Sequence, residues 1–270
     1  MPVTRADAER WLREDLGHDD VTNDLPGESA ARLVAKERGA VAGVDAAEVV
    51  FDVLGVDVET HVEAGERVDA GAVILAVEGA TRDVLRGERV ATNLVGHASG
   101  IATRTRDAVD AAREAGGDTA IAATRKTTPG LRGVEKRAVR AGGGDTHRLD
   151  ASHMAMVKDN HVAAFGLEEA VERVRERASF ATRIDVEVET VSEAERAADA
   201  GADVVLVDNA TPETVRATRE RLDPAVLVEA SGGIGVGDVP AYAAAGADVI
   251  SMGALTHSAP PLDCSFRLLE

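Results

Sequence analysis

Cysteine is almost missing from this chain of 270 residues: Cys264 stands alone. An intrachain disulfide is therefore excluded, and the composition suits a reducing compartment. Long apolar runs are missing too. None approaches the roughly 20 residues that a membrane-crossing helix needs, which excludes a membrane role. Residues 1–10 alternate charge with small side chains and do not read as a signal peptide. Together these absences predict a cytoplasmic protein. Lysine is the other scarcity: only Lys36, Lys126, Lys136 and Lys158 occur, and arginine carries the rest of the positive charge. Asp and Glu number 48 against 30 Lys and Arg, a formal net charge of −18. Nucleic acid, which needs an extended basic face, is excluded as a partner. Acid excess with little lysine fits a halophilic protein kept soluble in concentrated salt, where repulsion is screened within about 3 Å at 1 M. A GC-rich genome, favouring Arg and Ala codons, explains the missing lysine but less of the acid excess.

Against that background one stretch reverses the charge. From 124 to 161 the sequence holds Arg125, Lys126, Arg132, Lys136, Arg137, Arg140, Arg148 and Lys158 against Glu135, Asp145, Asp150 and Asp159, a net +4. A cationic island inside an acidic protein points to an anionic substrate.

With 44% hydrophobic residues the chain can bury one large core or two smaller ones. Thr4 with Asp7 reads as a capping box, opening a helix whose apolar face is Ala8, Trp11, Leu12 and Leu16. Strands are predicted at 32–36, 56–62 and 72–77, with a helix over 45–54 and glycine turns at Gly65, Gly71 and Gly79. A long helix over 81–98 is expected to break at Gly100 before a second one to about 115. From 119 onward the rhythm changes. Apolar, β-branched runs at 119–124, 154–158, 184–189, 203–208, 226–231 and 248–252 alternate mostly with amphipathic helices at 167–178, 192–200, 212–221 and 236–245. Near-continuous apolar strands alternating with helices predict a parallel sheet buried on both faces, of six or so βα units, closer to an incomplete barrel than to an eightfold one.

Each of these strands ends in polar groups that a purely structural strand does not need: Thr124-Arg125-Lys126, Lys158-Asp159-Asn160, Glu187 with Glu189, Asp208-Asn209, Glu229-Ala230-Ser231, and Ser251. In (β/α) barrels the site forms at the carboxyl ends of the strands, and six such ends in register argue for one shared mouth. Ser231-Gly232-Gly233-Ile234 and Ser251-Met252-Gly253-Ala254 follow the last two strands, where glycine lets backbone N–H groups approach phosphate closely. A guanidinium beside an ammonium in Thr124-Arg125-Lys126-Thr127-Thr128-Pro129-Gly130-Leu131-Arg132 suits a ligand with several carboxylates or phosphates.

The run 124–161, with Glu135-Lys136, Gly142-Gly143-Gly144, His147-Arg148 and Lys158-Asp159-Asn160-His161, closely resembles the quinolinate phosphoribosyltransferases. The resemblance spans nearly the whole chain. It takes in Glu14-Asp15 with Asp20-Val21-Thr22, Gly87-Glu88-Arg89 with Asn93-Leu94, and Ser99-Gly100-Ile101-Ala102-Thr103. Glu187-Val188-Glu189-Thr190, Asp208-Asn209, 229–234 and 253–258 complete it. Asp150-Ala151 and His97-Ala98 depart from the family's usual residues and put local loop geometry in question.

The resemblance implies an α/β protein with an N-terminal α/β sandwich domain plus an open or irregular (β/α) barrel. The first domain, with its connecting helix, would cover 1–105 and the barrel 106–270, the last residues staying there or returning to the first domain. It implies Mg²⁺-dependent transfer of phosphoribose from phosphoribosyl pyrophosphate (PRPP) to quinolinate with decarboxylation, in NAD biosynthesis, by a homodimer or higher oligomer. Lys126, Lys158, Glu187 and Asp208 would be catalytic, with Glu187 and Asp208 holding the magnesium partly through water and substrate. Thr124, Arg125, Lys126, His147, Arg148 and Lys158 would line the quinolinate and pyrophosphate pockets. Glu187 and Asp208 would face the ribose, and Ser231, Gly232, Gly233, Met252, Gly253 and Ala254 would meet the 5′-phosphate. Arg89 would complete the partner's site. Its own helix face, with Arg86 and Asn93, reads from the residues alone as simply solvated. His153, His161 and His257 fit ligand, loop or core roles equally.

Three rival readings stand beside this one. Residues 65–75 are similar to lipoyl and biotinyl carrier domains, but no lysine lies between Lys36 and Lys126 to carry the group. A Schiff-base barrel aldolase would use Lys158 or Lys126, which have basic company rather than the desolvated setting such a nucleophile wants. A family relative with another substrate, like the phosphoribosyltransferase-like proteins associated with molybdate transport, would share most motifs. The acid excess has its own test. The unfolding midpoint should rise steeply across a KCl series, and full stability and activity in salt-free buffer would remove the halophilic reading.

Overall fold

The structure, a computed structural model, describes residues 2–269. Two compact units divide the chain: Met1–Arg106, Thr127–Gly143 and Ser258–Glu270 form the first, Asp107–Lys126 and Gly144–His257 the second. In the first unit, helix α1 (Arg5–Leu16) opens on the expected capping box, Thr4 and Asp7 each accepting the other's backbone N–H. Strands β1 (Glu28–Ala35), β3 (Asp57–Thr60) and β5 (Val73–Ala80) make an antiparallel sheet with β5 central to the three, and β2 (Gly39–Ala40) pairs with β4 (Arg67–Val68). Helix α2 (Val44–Leu54) and the start of α3 (Thr81–Glu114) cover the sheet. Leu33, Leu75, Val44, Phe51, Val84 and Val95 share one core. Each such side chain contributes about 1.5–3 kcal/mol through burial. This is the α/β sandwich.

Helix α4 (Arg132–Ala141) also belongs to the first unit, as do the last residues from Ser258, whereas the sequence reading assigns 106–270 to the barrel and lets only the last residues return to the first domain. Arg137 pairs with Asp45 at 2.8 Å, His97 with Glu135 at 3.0 Å, and Arg106 donates to the carbonyls of Ala141 and Gly142. The sequence reading leaves α4 unassigned although Val134, Ala138 and Val139 recur at helical spacing; Glu135 and Lys136 are as buried as those apolar residues. The cationic island of the sequence is thereby split, its α4 charges lying in one unit and its Arg125, Lys126, Arg148 and Lys158 in the other.

The second unit is one parallel sheet of β6 (Ala120–Ala123), β7 (Ala155–Val157), β8 (Ile184–Val188), β9 (Val204–Asp208), β10 (Leu227–Ser231) and β11 (Val249–Met252), in the order β6-β11-β10-β9-β8-β7. A single bridge, Ala122 to Asp145, extends the β6 side. Among the described residues no ladder joins that segment to β7, so the barrel is open there. Strand side chains alternate. Ile184, Val186, Val188, Val205, Val207, Val228, Ala230 and Ile250 join the hydrophobic core with α6 (Leu167–Arg177), α7 (Val191–Asp199), α8 (Pro212–Arg221) and α9 (Val239–Ala244). With period two, Asp185, Glu187, Asp208, Glu229 and Ser231 take the other face, toward the barrel interior. Short α5 (Asp159–Phe165) and α10 (Ala254–His257) follow β7 and β11.

The chain ends in β12 (Cys264–Leu268), paired antiparallel with the outer side of β1, and Phe266 stacks on Phe51 with centroids 6.1 Å apart. Its approach explains why α3 does not break at Gly100. A Cβ there would stand 2.0 Å from the Pro260 carbonyl oxygen, and Leu262 N–H donates to Gly96 O at 2.9 Å. These glycines admit a crossing strand of chain rather than ending a helix. Gly100→Ala should therefore cost about 1–3 kcal/mol of stability through overpacking, although alanine favours a helix by roughly 0.8–1 kcal/mol. Thermal unfolding decides this, and an unchanged or raised midpoint would mean that Pro260 yields freely.

Candidate active site

Because all six strands of the second unit run parallel, their carboxyl ends share one edge. Thr124, Arg125 and Lys126 follow β6, Lys158 follows β7, Glu187 lies near the end of β8, Asp208 ends β9, and Ser231 ends β10 before Gly232 and Gly233. Gly253 and Ala254 follow β11. Contacts tie these ends in pairs around the rim. Lys158 Nζ bonds Glu187 Oε2. Asn209 N–H donates to Ser231 O at 2.9 Å, and Asn209 Nδ2 to Asp208 Oδ2 at 2.8 Å. Thr256 Oγ1 donates to Lys126 O at 2.7 Å. Asn209 adopts φ 51° and Gly232 φ 103°; a Cβ on Gly232 would lie 2.4 Å from Asn209 Oδ1. The turn after β10 thus requires glycine, in a left-handed backbone and against the neighbouring loop.

Below the rim lie His147, Arg148, Asp185 and Glu229. His147 has φ 50°, its N–H donates to Asp145 Oδ1 at 2.6 Å, and its Nε2 lies 3.0 Å from Glu229 Oε2. Arg148 donates from Nη2 to Met156 Sδ at 2.8 Å. Desolvation pulls its pKa down and Asp185 opposes that most. Burial, then the neighbouring Glu229, pushes the Asp185 carboxyl well above the usual range. A cavity of about 360 Å³ opens beneath this group, lined by Ala120, Ala122, Asp145, His147, Leu227 and Glu229 among others.

Lys126, Arg125, His147, Arg148, Lys158, Glu187, Asp208, Ser231 and the three glycines are thus brought to one end of one sheet. Met252 is not: its side chain is buried in the outer hydrophobic core, because it occupies the outward position of β11, so only its backbone reaches the rim. Arg89 lies in the first unit, largely exposed, 3.7 Å from Glu88. His153 Nδ1 accepts from Leu149 N–H and His161 Nδ1 from Lys158 N–H, both loop-closing bonds. The sequence reading does not name Asp185, and it counts Glu229 among the polar strand ends without giving it a site role, although Asp185-Val186-Glu187-Val188-Glu189 puts an acid at every inward position. Glu187 and Asp208 offer hard carboxylate oxygens, each with one oxygen already engaged, by Lys158 and Asn209. That set fits a magnesium ion that keeps water and substrate oxygens in its shell, not an all-protein cage.

The family described as quinolinate phosphoribosyl transferase, C-terminal domain, matches residues 101–267, and the corresponding N-terminal domain matches residues 20–99. The chain belongs to the quinolinate phosphoribosyl transferase family. It is 45% identical over 267 residues to the probable nicotinate-nucleotide pyrophosphorylase (carboxylating) of Methanothermobacter thermautotrophicus, covering 95% of this chain and 96% of that protein. The human nicotinate-nucleotide pyrophosphorylase (carboxylating) is 43% identical over 275 residues, 99% of this chain and 92% of that one. Among solved structures, NadC from Streptococcus pyogenes superposes with a TM-score of 0.92 at 34% identity, covering 100% of both chains. Membership in the quinolinate phosphoribosyl transferase family removes the carrier-domain reading of 65–75, which lies inside the matched N-terminal domain. It removes the Schiff-base aldolase reading as well.

The Gly232 turn yields a direct test. Gly232→Ala should leave the protein folded, lose about 1–3 kcal/mol of stability, and bind inorganic pyrophosphate or phosphate more weakly than wild type by calorimetry. Unaltered anion binding would remove this turn from the site.

Proposed function

We propose that this protein is a quinolinate phosphoribosyltransferase, converting quinolinate and PRPP to nicotinate mononucleotide, pyrophosphate and carbon dioxide in NAD biosynthesis. The observation that carries the reading is the single rim where Arg125, Lys126 and Lys158 meet Glu187 and Asp208 in a chain related over its full length to nicotinate-nucleotide pyrophosphorylases.

The two substrates are polyanions that repel each other, so a net positive rim is needed to gather them. His147 and Arg148 serve the quinolinate carboxylates, while Arg125, Lys126 and Lys158 are shared between those carboxylates and the pyrophosphate. Ser231, Gly232, Gly233 and Gly253 receive the 5′-phosphate. The quinolinate ring nitrogen attacks C1′ as the C1′–O bond to pyrophosphate breaks. Positive charge grows at C1′, where Glu187 and Asp208 stabilise it, while lysine and arginine stabilise the leaving group. The bond to the 2-carboxylate then breaks, its electron pair passes toward the quaternised ring, and C2 takes up a proton. No protein nucleophile is required. Magnesium, held by Glu187 and Asp208 with water, would neutralise phosphate charge and steady the ribose oxygens. In the free protein the Glu187 carboxylate holds Lys158 in place until phosphate oxygens compete for it.

The active unit in this reading is a cytoplasmic homodimer in which the exposed Arg89 serves the partner's site, and the acidic surface reflects a salt-rich interior. Purified protein supplied with quinolinate, PRPP and Mg²⁺ should form nicotinate mononucleotide, and omission of the metal should abolish it. Lys126→Ala and Arg148→Ala should each lower kcat/KM by about 100-fold or more; Lys126→Ala should keep the wild-type unfolding midpoint, whereas Arg148→Ala, which leaves the buried Asp185 without its main compensating charge, should lower it. Product formation with another pyridine or pyrimidine acid but not with quinolinate would favour the relative acting on a different substrate. Arg89→Ala chains should regain activity on mixing with Lys126→Ala chains, and no recovery would argue against a shared site.

A further inference from the structure

Two acids beneath the rim are absorbed by no substrate contact. Asp185 is fully buried, and neither of its carboxylate oxygens has a hydrogen-bond partner among the described residues. Glu229 is 1% exposed; one oxygen meets His147 Nε2 and the other meets nothing. Carboxylates so placed persist only where something compensates them. A divalent ion is a poor answer. His147, Asp185 and Glu229 offer three ligand atoms lying within 4.8 Å of one another, enough for an ion that keeps water in its shell, but the Arg148 guanidinium is a second positive charge close by and would repel it. The compensating partners, a guanidinium and an imidazole, are already present. Arg148 feels Asp185 as its largest favourable charge and keeps an unpartnered, buried Nε, so donor and acceptors attract one another although no direct ion pair joins them among the described residues. His147, the preceding residue, is gripped twice: Glu229 at its ring and Asp145 at its left-handed backbone.

We propose that Asp185 and Glu229 are positioning residues that fix Arg148 and His147 from below, and so set the protein's affinity for the dicarboxylate substrate without touching it. The proposal rests on the function proposed above. Glu229 fixes the imidazole plane and calls for hydrogen on Nε2, which orients the ring's other nitrogen. Asp185 holds the guanidinium by attraction and keeps its fork from swinging to the solvent side. The PRPP side of the rim, built from Gly232, Gly233, Asp208 and Glu187, has no hydrogen bond to either acid, and the charges of Glu187 and Lys158 act on Asp185 less than those of Glu229 and Arg148.

Asp185→Asn and Glu229→Gln remove charge while keeping shape. Asp145→Asn, at an exposed residue, loosens the same histidine without a buried change and serves if either of the others fails to fold. Kinetics with each substrate varied separately, calorimetric binding of quinolinate, unfolding midpoints and metal content would be measured on the full chain. The expected result is a quinolinate KM and dissociation constant raised about 10-fold or more in the buried variants and less in Asp145→Asn, with PRPP KM and kcat within about 3-fold of wild type. Wild-type quinolinate affinity in every variant that folds would overturn the proposal. So would an equal rise in both KM values with a lowered midpoint, or one metal ion per wild-type chain that Asp185→Asn loses. Wild type that binds quinolinate but forms no product would overturn the functional reading alone.

Discussion

Two carboxylates with almost no contact to solvent, Asp185 and Glu229, impose the condition around which the second unit is arranged. Isolated, such groups would destabilise any fold that contained them. Here Arg148 and His147 stand against them, and Lys158 stands against Glu187 one inward position further along the same strand. The cations are therefore held by the protein before any ligand arrives. Little reorganisation remains for Arg148 and His147 when an anion binds, and preorganisation of this kind is the main resource for a reaction that needs no covalent enzyme intermediate.

That condition also explains why the charge pattern of the sequence looks as it does. A chain of net −18 concentrates its few lysines, and Lys126 and Lys158 lie at the ends of two barrel strands. Lys136 does not share their role: it is buried in α4 of the other unit beside the equally buried Glu135. Proximity in sequence overstated the size of the cationic island, because the polypeptide leaves the barrel after Lys126 and re-enters it at Gly144.

The barrel was readable because its strands are continuous apolar runs with helical spacing between them, and Pro212–Arg221 was bounded to the residue. The rim followed from the same rhythm, since parallel strands must end on one side. Less legible were elements whose stability comes from elsewhere. Strands β2 and β4 are two residues each, and α4 has an apolar stripe of only Val134, Ala138 and Val139 beside the buried charges Glu135 and Lys136. The break assigned to Gly100 failed because local propensity sees a missing side chain and not the Pro260 carbonyl that fills the space. Asp185 and Glu229 were written in plain alternation, yet an acid in a strand declares its burial only once the inward face is known.

The pairing of β12 with β1 has a consequence for the order in which the molecule is made. The sheet of the first unit joins a strand begun at Glu28 to one completed at Leu268. On a ribosome adding about 5–20 residues per second, the second partner follows the first by roughly 10–50 s. Throughout that interval the β1 edge has its outer backbone groups unmatched, and by its end every strand of the barrel has been synthesised while the Gly96–Gly100 groove on α3 still lies vacant. The domain that begins first in the sequence is the one that must finish last.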